Sequence, residues 1–111
     1  MSRYIALFIG AGEPEEKGEI SDEVSADFMR AWGEWHATHQ SAIVDSGSPL
    51  GANLRVAGDR TEAVGNQLVA WMIVEAASAD EAASIFARHP HVSLMDGNAI
   101  DVMELMPIPG G

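Results

Sequence analysis

Gln67-Leu-Val-Ala-Trp-Met-Ile-Val74, Ser78-Ala-Asp-Glu81, Pro90 and Ala99-Ile-Asp-Val-Met-Glu-Leu-Met106 together decide how this chain folds. The first run is dense in strand formers. Ser78 and Glu81 have the spacing of a capping box, in which a serine and a glutamate satisfy each other's free backbone N–H groups at a helix start. Ala82, Ile85 and Phe86 then recur at helical spacing, Pro90 reads as the stop, and a last strand runs from Ala99 to Met106. Strand, helix and strand therefore fill this stretch.

A unit of the same kind precedes it. Arg3 to Ile9 is a strand, and Gly10 to Gly18 is a polar loop carrying Glu13, Glu15 and Glu16, either simply solvated or a lid over a cleft. Ser21 is placed to cap a helix that runs to about Gln40, with Asp22 and Glu23 at the positive end of its dipole. Along it Val24, Phe28, Ala31, Trp32, Trp35 and His39 share one stripe, as they must if the helix lies on a sheet. Ala42 to Gly47 and Asn53 to Val56 read as one strand broken by Ser46-Gly-Ser-Pro-Leu-Gly51, and Ala57 to Asn66 reads as a polar connection.

The order strand, helix, strand, strand, helix, strand is that of a ferredoxin-like βαββαβ, an α+β fold with an antiparallel sheet and the first and third strands central. Those two strands alternate apolar with apolar: Tyr4, Ala6 and Phe8 against Ile5, Leu7 and Ile9, and Leu68, Ala70, Met72 and Val74 against Val69, Trp71 and Ile73. Two helices cover only one face of such a sheet, so the other face needs a cover, and a second copy of the chain is the economical one. A homodimer packed sheet to sheet is the expectation.

The 111 residues, 47% hydrophobic and 21% charged, suit one folded domain spanning 1–111. A net charge of -11, with Lys17 and five arginines as the only fixed cations, repels phosphate backbones and anionic headgroups. Nucleic acid and membrane surfaces are thus unfavoured partners. The absence of cysteine removes disulfides and thiolate chemistry. Tyr4 to Ile9 is too short for a leader or a span, which makes a cytoplasmic location the default expectation.

The chain resembles the YCII-related family. The resemblance rests on Arg3-Tyr-Ile-Ala-Leu-Phe-Ile9, on Trp32 followed by Val44-Asp-Ser-Gly-Ser-Pro-Leu50, on Val74-Glu-Ala-Ala-Ser-Ala-Asp-Glu-Ala82, on Ala87-Arg-His-Pro90 and on the closing strand Ala99 to Pro107. It implies a ferredoxin-like domain that pairs into a dimeric α+β barrel. Two departures accompany it. The Asp-Gly-Pro-Phe signature of one branch is missing where Ala57-Gly-Asp-Arg-Thr-Glu-Ala-Val64 stands, and the helical histidine of another branch is replaced by the stretch Phe28-Met-Arg30.

Several residues can carry chemistry. His39 extends the apolar stripe and is suited to general acid/base work if Asp45 orients it; the alternative is a packed histidine bonded to backbone. Trp32, Trp35 and Trp71 suit a wall for a flat organic ligand, with Arg55 or Arg3 as an anion anchor, although packing alone also explains them. His36 and His39, with His89 and His91, fall short of a recognisable metal set. Gly10-Ala-Gly12 lacks the third glycine and the helix of a dinucleotide turn. The expected function is binding of a small organic molecule, or cofactor-independent catalysis, in a cleft between helix one and the sheet. His39 and Asp45 would be catalytic, and Trp32 and Arg55 would bind ligand, with no cofactor. The competing expectation is a noncatalytic homodimer whose acidic surface meets a protein partner.

Overall fold

The computed structural model describes residues 1–10 and 22–110. Four strands form the main sheet: β1 (Ser2–Ile9), β2 (Ile43–Asp45), β5 (Leu68–Ala76) and β6 (Ala99–Glu104), in the order β2-β5-β1-β6 with every pair antiparallel. β3 (Leu54–Ala57) and β4 (Arg60–Ala63) form a separate hairpin. Among the described residues three α-helices accompany the strands, α1 (Asp22–Thr38), α2 (Ala79–Phe86) and α3 (Pro90–Leu94). The fold is α+β, and its central β1 and β5 make it compatible with a ferredoxin-like arrangement.

Register explains where the core sits. Tyr4, Ala6 and Phe8 lie opposite Val74, Met72 and Ala70, and the alternation of a strand sends Tyr4, Ala6, Phe8, Met72, Val74 and Ala76 to one buried face. Trp35, Ala82 and Phe86 close over them from the helices. Trp35 stacks on Phe86 with centroids 5.3 Å apart, and its Nε1–H donates to the Ile85 carbonyl at 3.0 Å. That bond satisfies the one polar atom of a buried indole while joining α1 to α2. The opposite face carries Ile5, Leu7 and Ile73, all half-buried, with Met103 at 46% exposure opposite Ile5.

The caps follow from sequence. Ser78 Oγ accepts from the Glu81 N–H at 3.1 Å at the start of α2, as the capping box requires. The expected cap Ser21 and the acidic loop beyond Gly10 lie outside the described residues.

Three expectations are corrected. Asn53–Val56 does not resume the second strand: Leu54–Ala57 turns at Gly58-Asp59 and pairs with Arg60–Ala63, so the presumed polar connection contains a strand. Gly58 has φ +63°, the conformation a two-residue hairpin turn asks of its first residue. Pro90 opens α3 as well as following α2, because its missing N–H costs nothing in the first helical turn. The first helix ends at Thr38, followed by a single 3₁₀ turn at Gln40–Ala42.

Candidate functional site

A cavity of about 480 Å³ opens between α1, the sheet and α3. This lies inside the range of roughly 300–1,000 Å³ usual for small-molecule sites. Phe28, Met29 and Trp32 of α1 form one wall, and Leu94 and Met95 at the end of α3 form another. Gly10, Val69, Ala70 and Trp71 supply the sheet side, and Ser46 to Pro49 the edge.

Each wall is held by identifiable contacts. Trp32 stacks on Phe8 at 5.2 Å and takes Phe28 edge-on at 5.4 Å, so its ring is fixed between the core and the cavity. The segment after β2 runs beside β5: the Trp71 N–H donates to the Ser48 carbonyl at 3.3 Å, and the Leu50 N–H to Val69 at 2.9 Å. Asp45 Oδ1 accepts from the Gly47 N–H at 2.9 Å, turning the chain there. Gly47 has φ +66°, and a Cβ at this position would collide with the Trp71 carbonyl. Ser46 Oγ lies 3.0 Å from His36 Nε2, which ties this edge to the end of α1.

His91 lies on the cavity wall, and His89-Pro90 behind it holds it there. His89 is fully buried, and its Nδ1 accepts from the His91 N–H at 3.0 Å, making it the N-cap of α3. An accepting Nδ1 places the proton of neutral His89 on Nε2. Among the described residues, that Nε2 is the one buried side-chain nitrogen or oxygen without a hydrogen-bond partner. Trp32 and Trp35 lie against the ring, with centroids at 4.3 and 4.4 Å. Burial, then the neighbouring His91 and His39, push His89 down to about 3, so it is neutral at physiological pH. His91 directs Nε2 to the Ile9 carbonyl at 2.9 Å. Because a carbonyl only accepts, that nitrogen carries a proton.

Of the expected site residues, Trp32 borders the cavity, and so does Trp71, whereas Trp35 is core. His39, Asp45 and Arg55 are not among its lining residues. His39 Nδ1 is 2.9 Å from the Trp35 carbonyl, the ring lies 4.7 Å from Trp35, and Asp45 is engaged at Gly47. Arg55 stands on the exposed β3–β4 hairpin opposite Glu62. Among the described residues no group of three or more histidine, aspartate or glutamate side chains is placed to hold a metal ion. No described helix is long and apolar enough to cross a membrane. Met29, Leu94 and Met95 are cavity residues that the sequence patterns did not single out, and His91 was weighed there only as a metal ligand. The signal for His91 was Pro90 itself, which marks a first helical position and so gives His89 and His91 defined roles.

No family model matches this chain, and no curated protein matches it. Function is therefore argued from the cavity and its surroundings.

Proposed function

We propose that this protein binds a small organic molecule in the cavity between α1, the sheet and α3. The observation that carries the proposal is a mainly apolar cavity of about 480 Å³ whose aromatic wall, Trp32, is fixed from behind by Phe8. A flat apolar ligand gains contact with that wall at little cost in side-chain ordering. Met29 is exposed at the cavity mouth, so Met29→Trp should fill the entrance without disturbing the core. The test is a thermal-shift panel of small aromatic compounds: midpoint increases are expected for the native protein and not for Met29→Trp, since a ligand selective for the folded state stabilises it by linkage. If no compound raises the native midpoint, the proposal fails.

A catalytic version adds His39, whose Nδ1–H faces the Trp35 carbonyl and leaves Nε2 as the basic nitrogen, and Asp45. In that version His39→Ala keeps ligand binding and stops turnover of a bound compound; unchanged turnover in the variant would exclude it.

We further propose a YCII-related, ferredoxin-like homodimer. The half-buried face of Ile5, Leu7 and Ile73, continued by Met103, is the surface that a second copy would cover. Sedimentation equilibrium at micromolar concentration tests it, and a stable monomer would end it.

A further inference from the structure

We infer that the cavity selects an uncharged aromatic alcohol, with His91 Nδ1 accepting the ligand's hydroxyl. The inference rests on the cavity being a ligand site, and adds which ligands it takes. His91 retains 5% exposure and borders the cavity. Its Nε2–H is committed to the Ile9 carbonyl, so in neutral His91 the lone pair is on Nδ1. Among the described residues Nδ1 has no hydrogen-bond partner. With His91 on the cavity wall and Nε2 engaged, Nδ1 is the ring nitrogen left to accept from a ligand.

Charge narrows the class further. Among the described residues that line the cavity none carries a formal charge: the polar ones are Ser46, Ser48, His91 and Asn98. A carboxylate or phosphate would lose its hydration and gain no cation from the described walls, and would do so inside a protein of net charge -11. Arg55, the anion anchor expected from sequence, is on the β3–β4 hairpin and does not line the cavity. An ammonium would likewise find no carboxylate on these walls. What remains is a neutral ring system to lie against Trp32 and Phe28, with one O–H for His91. The donor-to-imidazole bond also discriminates: a ligand of the same shape without the O–H leaves Nδ1 desolvated and unpaired.

The test compares 2-naphthol, 2-methoxynaphthalene and naphthalene-2-carboxylate by quenching of tryptophan fluorescence at neutral pH. The naphthol should bind about tenfold more tightly than its methyl ether, the ratio that one buried hydrogen bond supports, and the carboxylate more weakly than both. In His91→Leu the preference for naphthol over ether should disappear while the ether still binds. Since that change also strips the Ile9 carbonyl of its donor, His91→Gln, whose amide N–H can serve that carbonyl, is the control for folding. Equal binding of naphthol and ether by the native protein, or tightest binding of the carboxylate, overturns the role of His91 and leaves the cavity reading intact. Failure of all three to bind overturns both.

Discussion

His89 sets a specific acid sensitivity. Unfolded, its imidazole has the ordinary value of 6.5; folded, it is held at about 3, chiefly by burial and then by His91 and His39. The native state therefore refuses a proton that the unfolded chain accepts. Above pH 6.5 neither state binds it and stability is unaffected. As pH falls from 6.5 toward 3 the unfolded state is favoured by about 1.4 kcal/mol per pH unit. Between pH 7.5 and pH 5 this amounts to about 2 kcal/mol, a large share of the 5–15 kcal/mol typical of a domain.

The measurement is urea unfolding at both pH values, at fixed protein concentration, of the native chain and of His89→Asn. Asparagine keeps an acceptor for the His91 N–H at the N-cap but does not titrate. His39 and His91, the titratable groups that face His89, are present in both proteins, so the difference isolates His89. The native protein should lose about 2 kcal/mol more than the variant over this interval. Parallel losses, within about 0.5 kcal/mol on the precision of such extrapolations, would refute the argument that His89 is buried neutral.

Two further perturbations test the edge of the cavity and the open face of the sheet. Gly47→Ala should destabilise the protein by about 2–3 kcal/mol in urea titrations, because φ +66° and the Trp71 carbonyl leave no place for a methyl group; a change under about 0.5 kcal/mol would mean that the 46–50 segment moves freely. On the open sheet face, Ile5→Glu should turn a dimer into a monomer by sedimentation, since it places a charge opposite Ile73 and Met103. An unchanged mass would show that this face is not the interface.

The parts of the fold legible in sequence are those governed by one period over many residues. The apolar alternation of β1 and β5 and the Ser78 cap of α2 are local signals, and packing reinforces each of them. The helix-one stripe placed Trp32 and Trp35 correctly against the sheet, although Val24 at its start stays exposed. The β3–β4 hairpin was illegible because its strands are four residues long and its turn is only Gly58-Asp59. The site was harder still. Trp32 was visible from its periodicity, but the role of His91 depends on a carbonyl 82 residues away in sequence, and that of His89 on four aromatic rings from three separate elements.

The spacing of His89 and His91 across Pro90 joins two environments that use an imidazole differently. His89 must be neutral, since protonating Nδ1 would take away the acceptor that holds the His91 N–H and would bury a charge among Phe8, Trp32 and Trp35. His91 lies one residue past Pro90, with Nε2–H fixed at Ile9 and Nδ1 unpartnered among the described residues. The N-cap thus does more than start a short helix: it sets the angle at which α3 leaves the core and with it the positions of His91 and Leu94 on the cavity wall. If acid first breaks this cap, the wall should loosen before β1 and β5 separate, because those central strands are paired along their length and α3 is only five residues long. Hydrogen exchange at pH 5 should then find the His91 and Val92 amides exchanging well ahead of those of Ala6 and Met72. Simultaneous exchange would show instead that α3 and the sheet open as one unit, with His89 acting on the whole fold and not on the cavity alone.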